Sequence, residues 1–172
     1  WPDGPPRQVR PRYSPDGSTL AFGFAVDLPA FYADRNRLCL HHRASGERTV
    51  LTEDWDRSCE SWEWRPDGSD LVFAAEDDAR RNLFTIPAAG GIPGLLARGG
   101  WLTDLTPAGD GSVWCLHQSL SEPADVAVAS AAGITRIPAF NQALLAELEL
   151  GRVEDVRFPG ADGDEVQMFV LY

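Results

Sequence analysis

The sequence predicts an all-β chain: a partial β-propeller of about three four-stranded antiparallel blades, then a short helix and a terminal hairpin. Three observations carry that prediction. Short apolar or alternating segments recur along the chain, closed by Gly, Pro, Asp or Ser, while helical periodicity is nearly absent. The segment RYSPDGSTLAF at 12–22 returns as EWRPDGSDLVF at 63–73, and a weaker copy, LTPAGDGSVWCL, stands at 105–116. The prolines of these copies are 51 residues apart (Pro15 to Pro66) and 41 residues apart (Pro66 to Pro107). Repeats of about 40–50 residues holding four strands each are the mark of propeller blades.

Taken in order, strands are expected at 19–26, 37–42, 48–51, 61–64, 70–76, 82–86, 94–97, 112–119, 125–130 and 134–137. The blade turns fall at 14–17, 65–68 and 107–111. Pro15 and Pro66 preset the φ of a type I turn, and Asp16 and Asp67 can hydrogen-bond nearby amides. Gly17 and Gly68 then take the positive φ that returns the chain into the next strand. The stretch 1–9 resembles the outer hairpin of a blade whose start is missing. From Val9 only a few residues lead to the next inner strand, about 14 Å away across three strand spacings. Residues are therefore expected to be absent around Val9–Pro11. The propeller portion is assigned to 1–139. A linker with a short helix follows at 140–152, with Asn141 as N-cap and Leu144, Leu145 and Leu148 at helical spacing. The stretch 153–172 reads as a hairpin outside the blade pattern, the start of a junction to a further domain.

Composition narrows the function classes. The chain has 172 residues, 44% hydrophobic and 24% charged, with a net charge of −11. An acidic surface repels phosphate backbones, so no nucleic-acid partner is expected. No run approaches the ~18 apolar residues of a membrane span, and no membrane partner is expected. All 15 basic residues are arginine, which removes P-loop and Schiff-base lysines and fits a GC-rich, bacterial coding sequence. Cys39, Cys59 and Cys115 are widely separated and form no CxxC, so neither a disulfide framework nor structural zinc is expected. Unpaired thiols lean towards a cytoplasmic location, with a periplasmic one as the alternative.

Candidate chemical groups have plainer explanations. His41 and His42 are adjacent on a strand and face opposite sides, and His117 lies on another strand. No metal site and no cofactor are expected. The loop TEDWDRSCE at 52–60 carries Glu53, Asp54, Asp56 and Glu60, which could hold a substrate's amino group; a solvated inter-blade loop is the simpler reading. The stretch AEDDARR at 75–81 reads as a polar hairpin tip with internal Asp–Arg pairing. Trp55, Trp62 and Trp64 read as blade-to-blade packing. Ser14, Ser18 and Ser45 precede the histidines but sit on turns. There is no Gly-x-Ser-x-Gly, and no histidine follows His117. No catalytic residue is assigned, and substrate-binding residues stay unassigned.

The blade turns YSPDGSTLAF and WRPDGSDLVF resemble the propeller repeats of the prolyl oligopeptidase family of serine peptidases. More specific is the ordered series LTEDWDRS, AEDDARRNLFTIPAAGG, SLSEPADVAVAS and GADGDEVQMFVLY, which is similar to its dipeptidyl-peptidase and acylaminoacyl-peptidase branch. The resemblance implies a parent enzyme that hydrolyses short peptides, with the propeller restricting access to a buried triad in an α/β-hydrolase domain. The nucleophile, acid and histidine would lie beyond Tyr172, so the chain alone should be inactive. A peptide is the implied substrate, and self-association is left open. The rival reading is a TolB-like, non-enzymatic propeller that binds a protein partner. A sugar-active propeller would need paired carboxylates facing one cleft, which the turn-borne acids do not supply.

Overall fold

The computed structural model describes residues 7–25, 34–137 and 140–172, with side chains in the first strand from Arg10 onward. Three antiparallel four-stranded units follow one another. Blade I holds β1 (Arg7–Tyr13), β2 (Thr19–Ala25), β3 (Arg37–His42) and β4 (Arg48–Val50). Blade II holds β5 (Ser61–Trp64), β6 (Asp70–Asp77), β7 (Arg80–Pro87) and β8 (Gly94–Ala97). Blade III holds β9 (Trp101–Pro107), β10 (Val113–Ser119), β11 (Glu122–Ser130) and β12 (Gly133–Arg136). A single parallel bridge, Arg81 to Trp101, ties β7 to β9 and so joins blades II and III.

The repeated turns are built as their residues predict. The amide of Gly17 donates to Ser14 O at 2.8 Å and that of Gly68 to Arg65 O at 2.9 Å. Each turn aspartate then gathers the residue after the glycine. Asp16 Oδ1 accepts from the Ser18 amide and hydroxyl and from Ser14 Oγ; Asp67 does the same with Ser69, and Asp110 with Ser112. Asp110 is thus the counterpart of Asp16 and Asp67, and Gly109 stands where they have proline. These bonds hold the ionised form, and hydrogen bonding led by Ser14 lowers the Asp16 carboxyl to about 2.

The strand run DLVFAAED has no polar alternation because blade II is covered on both faces. Leu71, Phe73 and Ala75 pack with Ala21, Leu38 and Leu40 of blade I, while Val72 and Ala74 pack with Leu102, Val113 and Cys115 of blade III. A sheet buried on both sides reads as a continuous apolar segment. Trp62 and Trp64 lie in the blade I–II core, and Trp64 Nε1 donates to Arg12 O at 3.0 Å, fastening the two inner strands. The crossover from β8 to β9 needs Gly100. Its φ is +64°, and an added Cβ would stand 2.5 Å from Gln118 O and against the His117 ring.

Two sequence expectations are corrected here. Val9 does not end an outer strand: it lies inside β1, the inner strand of blade I, paired to Gly23. Arg7–Tyr13 form one inner strand paired with β2, so the long crossing from an outer strand is not made within this stretch. The rest of the expected outer hairpin, 1–6, lies outside the described residues. β9 was also not expected as a strand, since its polar Thr103, Asp104 and Thr106 broke the apolar run; it is nonetheless paired with β10.

Beyond the blades, the helix is a single turn, α1 (Gln142–Leu145), with Asn141 at its N-cap but no side-chain capping bond. Leu144 and Leu148 are exposed, so no packing extends the helix. β13 (Val153–Pro159) and β14 (Glu165–Leu171) then form a two-stranded hairpin around a tight turn at Ala161–Gly163.

Candidate functional site

The tips of blades II and III and the β13–β14 hairpin meet on one side of the molecule. The tip of β6–β7 is a two-residue loop, Asp78–Ala79, flanked by the pair Asp77 and Arg80. Both loop residues have positive φ, +58° and +52°. This is the hairpin loop that Asn-Gly normally fills, because L-residues with a Cβ resist the left-handed region.

The charges at this tip explain its residues. Asp77 accepts from Arg57 at 2.8 Å and from Arg98 at 3.4 Å. Asp78 pairs with Arg98 and Arg80, both at 3.4 Å, and with Arg157 of β13. Arg80 in turn donates to Asp155 of β13 at 2.7 Å, and its guanidinium lies 5.3 Å from the centre of the Phe169 ring. Gln167 of β14 donates to both Asp155 oxygens at 3.0 Å. Hydrogen bonds from Arg80 and then Gln167 hold the Asp155 carboxyl below its ordinary range. The stretch 75–81 is therefore a polar tip, as its sequence suggests, but its pairing reaches well outside itself. It is the anchorage of the terminal hairpin.

Between these parts lies a mainly apolar cleft of about 630 Å³, lined among others by Trp101, Gln118, Leu120, Val153 and Phe169. The Trp101 ring of one wall has the Arg81 guanidinium 4.3 Å from its centre, and Arg81 pairs with Glu76 of the lining at 3.1 Å. The rim charges are thus matched internally, which leaves an apolar floor with a neutral edge. Such a surface can seat an apolar group; of its lining serines, Ser119 Oγ lies 3.4 Å from Ser121 Oγ, and among the described residues neither is bonded to a His, Asp or Glu side chain.

The other candidates fall apart in space. In the 52–60 loop, Glu53 pairs with Arg37 at 3.3 Å, Asp56 with Arg57 at 2.5 Å, and Glu60 with Arg81 at 3.9 Å. Trp55 of that loop packs edge-on against Phe73 and Phe84, with centroids 5.3 and 5.0 Å away. The loop caps the core, and its acids do not converge on one centre. Ser14 and Ser18 bond to Asp16, and Ser45 Oγ accepts the Glu47 amide. His42 meets Thr19 Oγ1 at 3.2 Å, and burial lowers the His117 pKa. Among the described residues no group of three His, Cys, Asp or Glu side chains is placed to hold a metal ion. The three cysteines are buried, and burial pushes Cys39 and Cys59 up to about 12 and Cys115 to about 11, far from thiolate reactivity.

Sequence reasoning missed Arg57, Arg80, Arg98, Asp155 and Arg157 as one network. The available signal was charge matching between DDARR and VEDVR, two segments that periodicity does not connect.

No protein-family model matches the chain. In sequence it is 35% identical over 96 residues to dipeptidyl-peptidase 5 of Aspergillus fumigatus, a match covering 51% of this chain and 13% of that protein. It is 30% identical over 76 residues to dipeptidyl-peptidase 5 of Porphyromonas gingivalis, covering 44% of this chain and 11% of that one. The chain therefore spans only a small part of these relatives, and their fungal members do not support a bacterial source. In fold it is similar to acylaminoacyl peptidase of Pyrococcus horikoshii, with a TM-score of 0.69, 16% identity, and 88% of this chain and 23% of that one covered. It is also similar to TolB of Acinetobacter baumannii, at 0.56 and 18%, covering 74% of this chain and 30% of that one. At these identities the structural likeness concerns the fold.

Proposed function

We propose that the chain is part of the β-propeller of a prolyl oligopeptidase-family peptidase, the non-catalytic filter of a serine enzyme hydrolysing short peptides. The observation that carries this reading is the sequence match to dipeptidyl-peptidase 5, which runs over half of the chain. The hairpin supports it physically. β13–β14 stands outside the blade pattern, yet it is bonded to the tip of blade II through Arg80, Asp155 and Arg157. A domain following the hairpin would be held at a set position over the blade tips. The serine nucleophile would then act by acyl transfer in that domain, and the blades would limit entry to chains narrow enough to pass.

The test has two arms. The reading frame beyond Tyr172 is expected to continue as an alternating α/β pattern containing Gly-x-Ser-x-Gly. The longer protein should cleave chromogenic dipeptide or acyl-amino-acid substrates, while the 172-residue chain should not. A turnover by this chain alone would overturn the proposal. A stop codon within a few residues of Tyr172 would favour the second reading, a TolB-like scaffold for a protein partner, which rests on the TolB fold likeness.

A further inference from the structure

We propose that the bulged inner strand of blade I carries a carboxylate-binding site, formed by Arg10 and Arg12, for the C-terminal carboxylate of a peptide; the peptide as occupant rests on the function proposed above. The first support is backbone geometry. In β1 the register passes from Val9↔Gly23 to Arg12↔Ala21, so Arg10 and Pro11 together oppose Phe22. Arg10 sits at φ +53° within this bulge. An arginine is strained in the left-handed region, and a bulge of this kind re-aims a side chain. The same device recurs in β9, where Asp104 and Leu105 oppose Cys115 and Asp104 has φ +54°. Arg10 and Asp104 stand at equivalent places, each six residues before its turn aspartate, Asp16 or Asp110. β5 of blade II begins at Ser61 and is paired with β6 without a bulge. Among the three inner strands two carry this strain, and there it places opposite charges.

The second support is the charge balance around Arg10. Arg10 Nη2 and Arg12 Nε both donate to Glu63 Oε1, at 3.2 and 2.8 Å. Arg12 Nη1 donates to Pro11 O at 3.0 Å. Arg10 Nε is shielded from solvent and has no hydrogen-bond partner among the described residues. Two guanidinium groups therefore share one carboxylate oxygen, leaving one positive charge and several N–H donors unmatched among those residues. Both side chains are about one-third exposed, 34% and 38%, so an incoming anion can reach them. A chain of net charge −11 has no general field to attract anions, and a local surplus of guanidinium is what would hold one. The paired N–H donors of arginine match the two oxygens of a carboxylate.

The experiment follows the arginine Nε–Hε NMR signals of the 172-residue chain during titration with N-acetyl-trialanine, as the free acid and as the C-terminal amide, and with acetate. The free acid is expected to shift the Arg10 and Arg12 signals and to bind about tenfold more tightly than the amide. Arg12→Gln should lose that preference, Arg12→Lys should retain part of it, and Glu63→Gln, which removes the competing carboxylate, should strengthen binding. Retained signal dispersion in each variant shows that it is folded. Equal binding of acid and amide, or an unchanged preference in Arg12→Gln, overturns the site. Binding of acetate without the free-acid peptide overturns the peptide as its occupant. Peptide hydrolysis by the longer protein, with no acid preference at Arg10 and Arg12, would remove this site and leave the proposed function standing.

Discussion

Blade II and the β13–β14 hairpin are both antiparallel, yet they are held in place by different forces. Blade II buries Leu71, Val72, Phe73, Ala74 and Ala75 completely, between two neighbours. The hairpin buries no side chain fully, and Phe158, Val166 and Met168 are each about two-fifths exposed. Its place is set instead by Arg80–Asp155 and Asp78–Arg157, with Gln167 bonded to Asp155. Buried apolar side chains carry no charge to screen or titrate, whereas partly exposed ion pairs respond to both salt and pH. The blades thus form a permanent core, and the hairpin a junction that conditions can loosen.

The largest effect should come from breaking the core side of this contrast. Phe73→Ala removes a fully buried ring that stacks on Phe84 at 5.8 Å and meets Trp55. A loss of about 3–5 kcal/mol is expected, read as a lower urea midpoint for the whole blade array. Melting unchanged to within ~1 kcal/mol would show that blades I and II do not share one core.

Breaking the junction side should be local. Asp78→Asn weakens the pairs to Arg80, Arg98 and Arg157, which solvent screens, so global stability should change little. Hydrogen exchange across 153–171 should rise severalfold while β6 and β7 keep their protection, and 1 M salt should act in the same direction. Equal loss of protection in blade and hairpin would erase the distinction.

A substitution at the neighbouring position should stabilise. Ala79→Gly relieves a left-handed residue at φ +52° without touching the ion pairs, and a gain of about 1 kcal/mol is expected in thermal melts. A loss would mean that the Ala79 methyl group contributes to the cleft it lines.

The smallest effect is acid sensitivity. Asp155 is depressed in the folded chain by Arg80 and Gln167, and Asp16 lies at about 2. A depressed carboxylate stabilises the fold fully above its unfolded value, near about 4, and the contribution is lost as pH falls through the folded value. Hairpin protection should therefore be flat from pH 7 to about 5 and decline below pH 4, with the blade turns following towards pH 2. Protection that rises on acidification would contradict the sign.

The blades were legible in the sequence because their signals are local. Pro15-Asp16-Gly17 and Pro66-Asp67-Gly68 specify a bend through φ preference and a side-chain bond within a few residues. The apolar run 71–75 announces a strand, and the packing of blades I and III on it shows that both its faces are covered. β9 was harder to read because its neighbours, rather than its own composition, make it a strand: Leu102 and Leu105 are buried while Thr103 and Asp104 are not. The bulges at Arg10 and Asp104 were invisible for the same reason, since nothing in either residue favours a left-handed conformation.

What the order of residues determined by itself was the all-β repeat and its turns, both governed by interactions a few residues long. Only the tertiary structure decided that Arg80 meets Asp155 and that Arg10 and Arg12 converge on Glu63. These partners lie more than fifty residues apart, and an ion pair leaves no periodic trace in a chain with 15 cations and 26 anions to choose among. The fold selects the pairs: packing blade I on blade II brings Arg10 and Arg12 to Glu63, and the place of the hairpin beside the blade II tip brings Asp155 to Arg80.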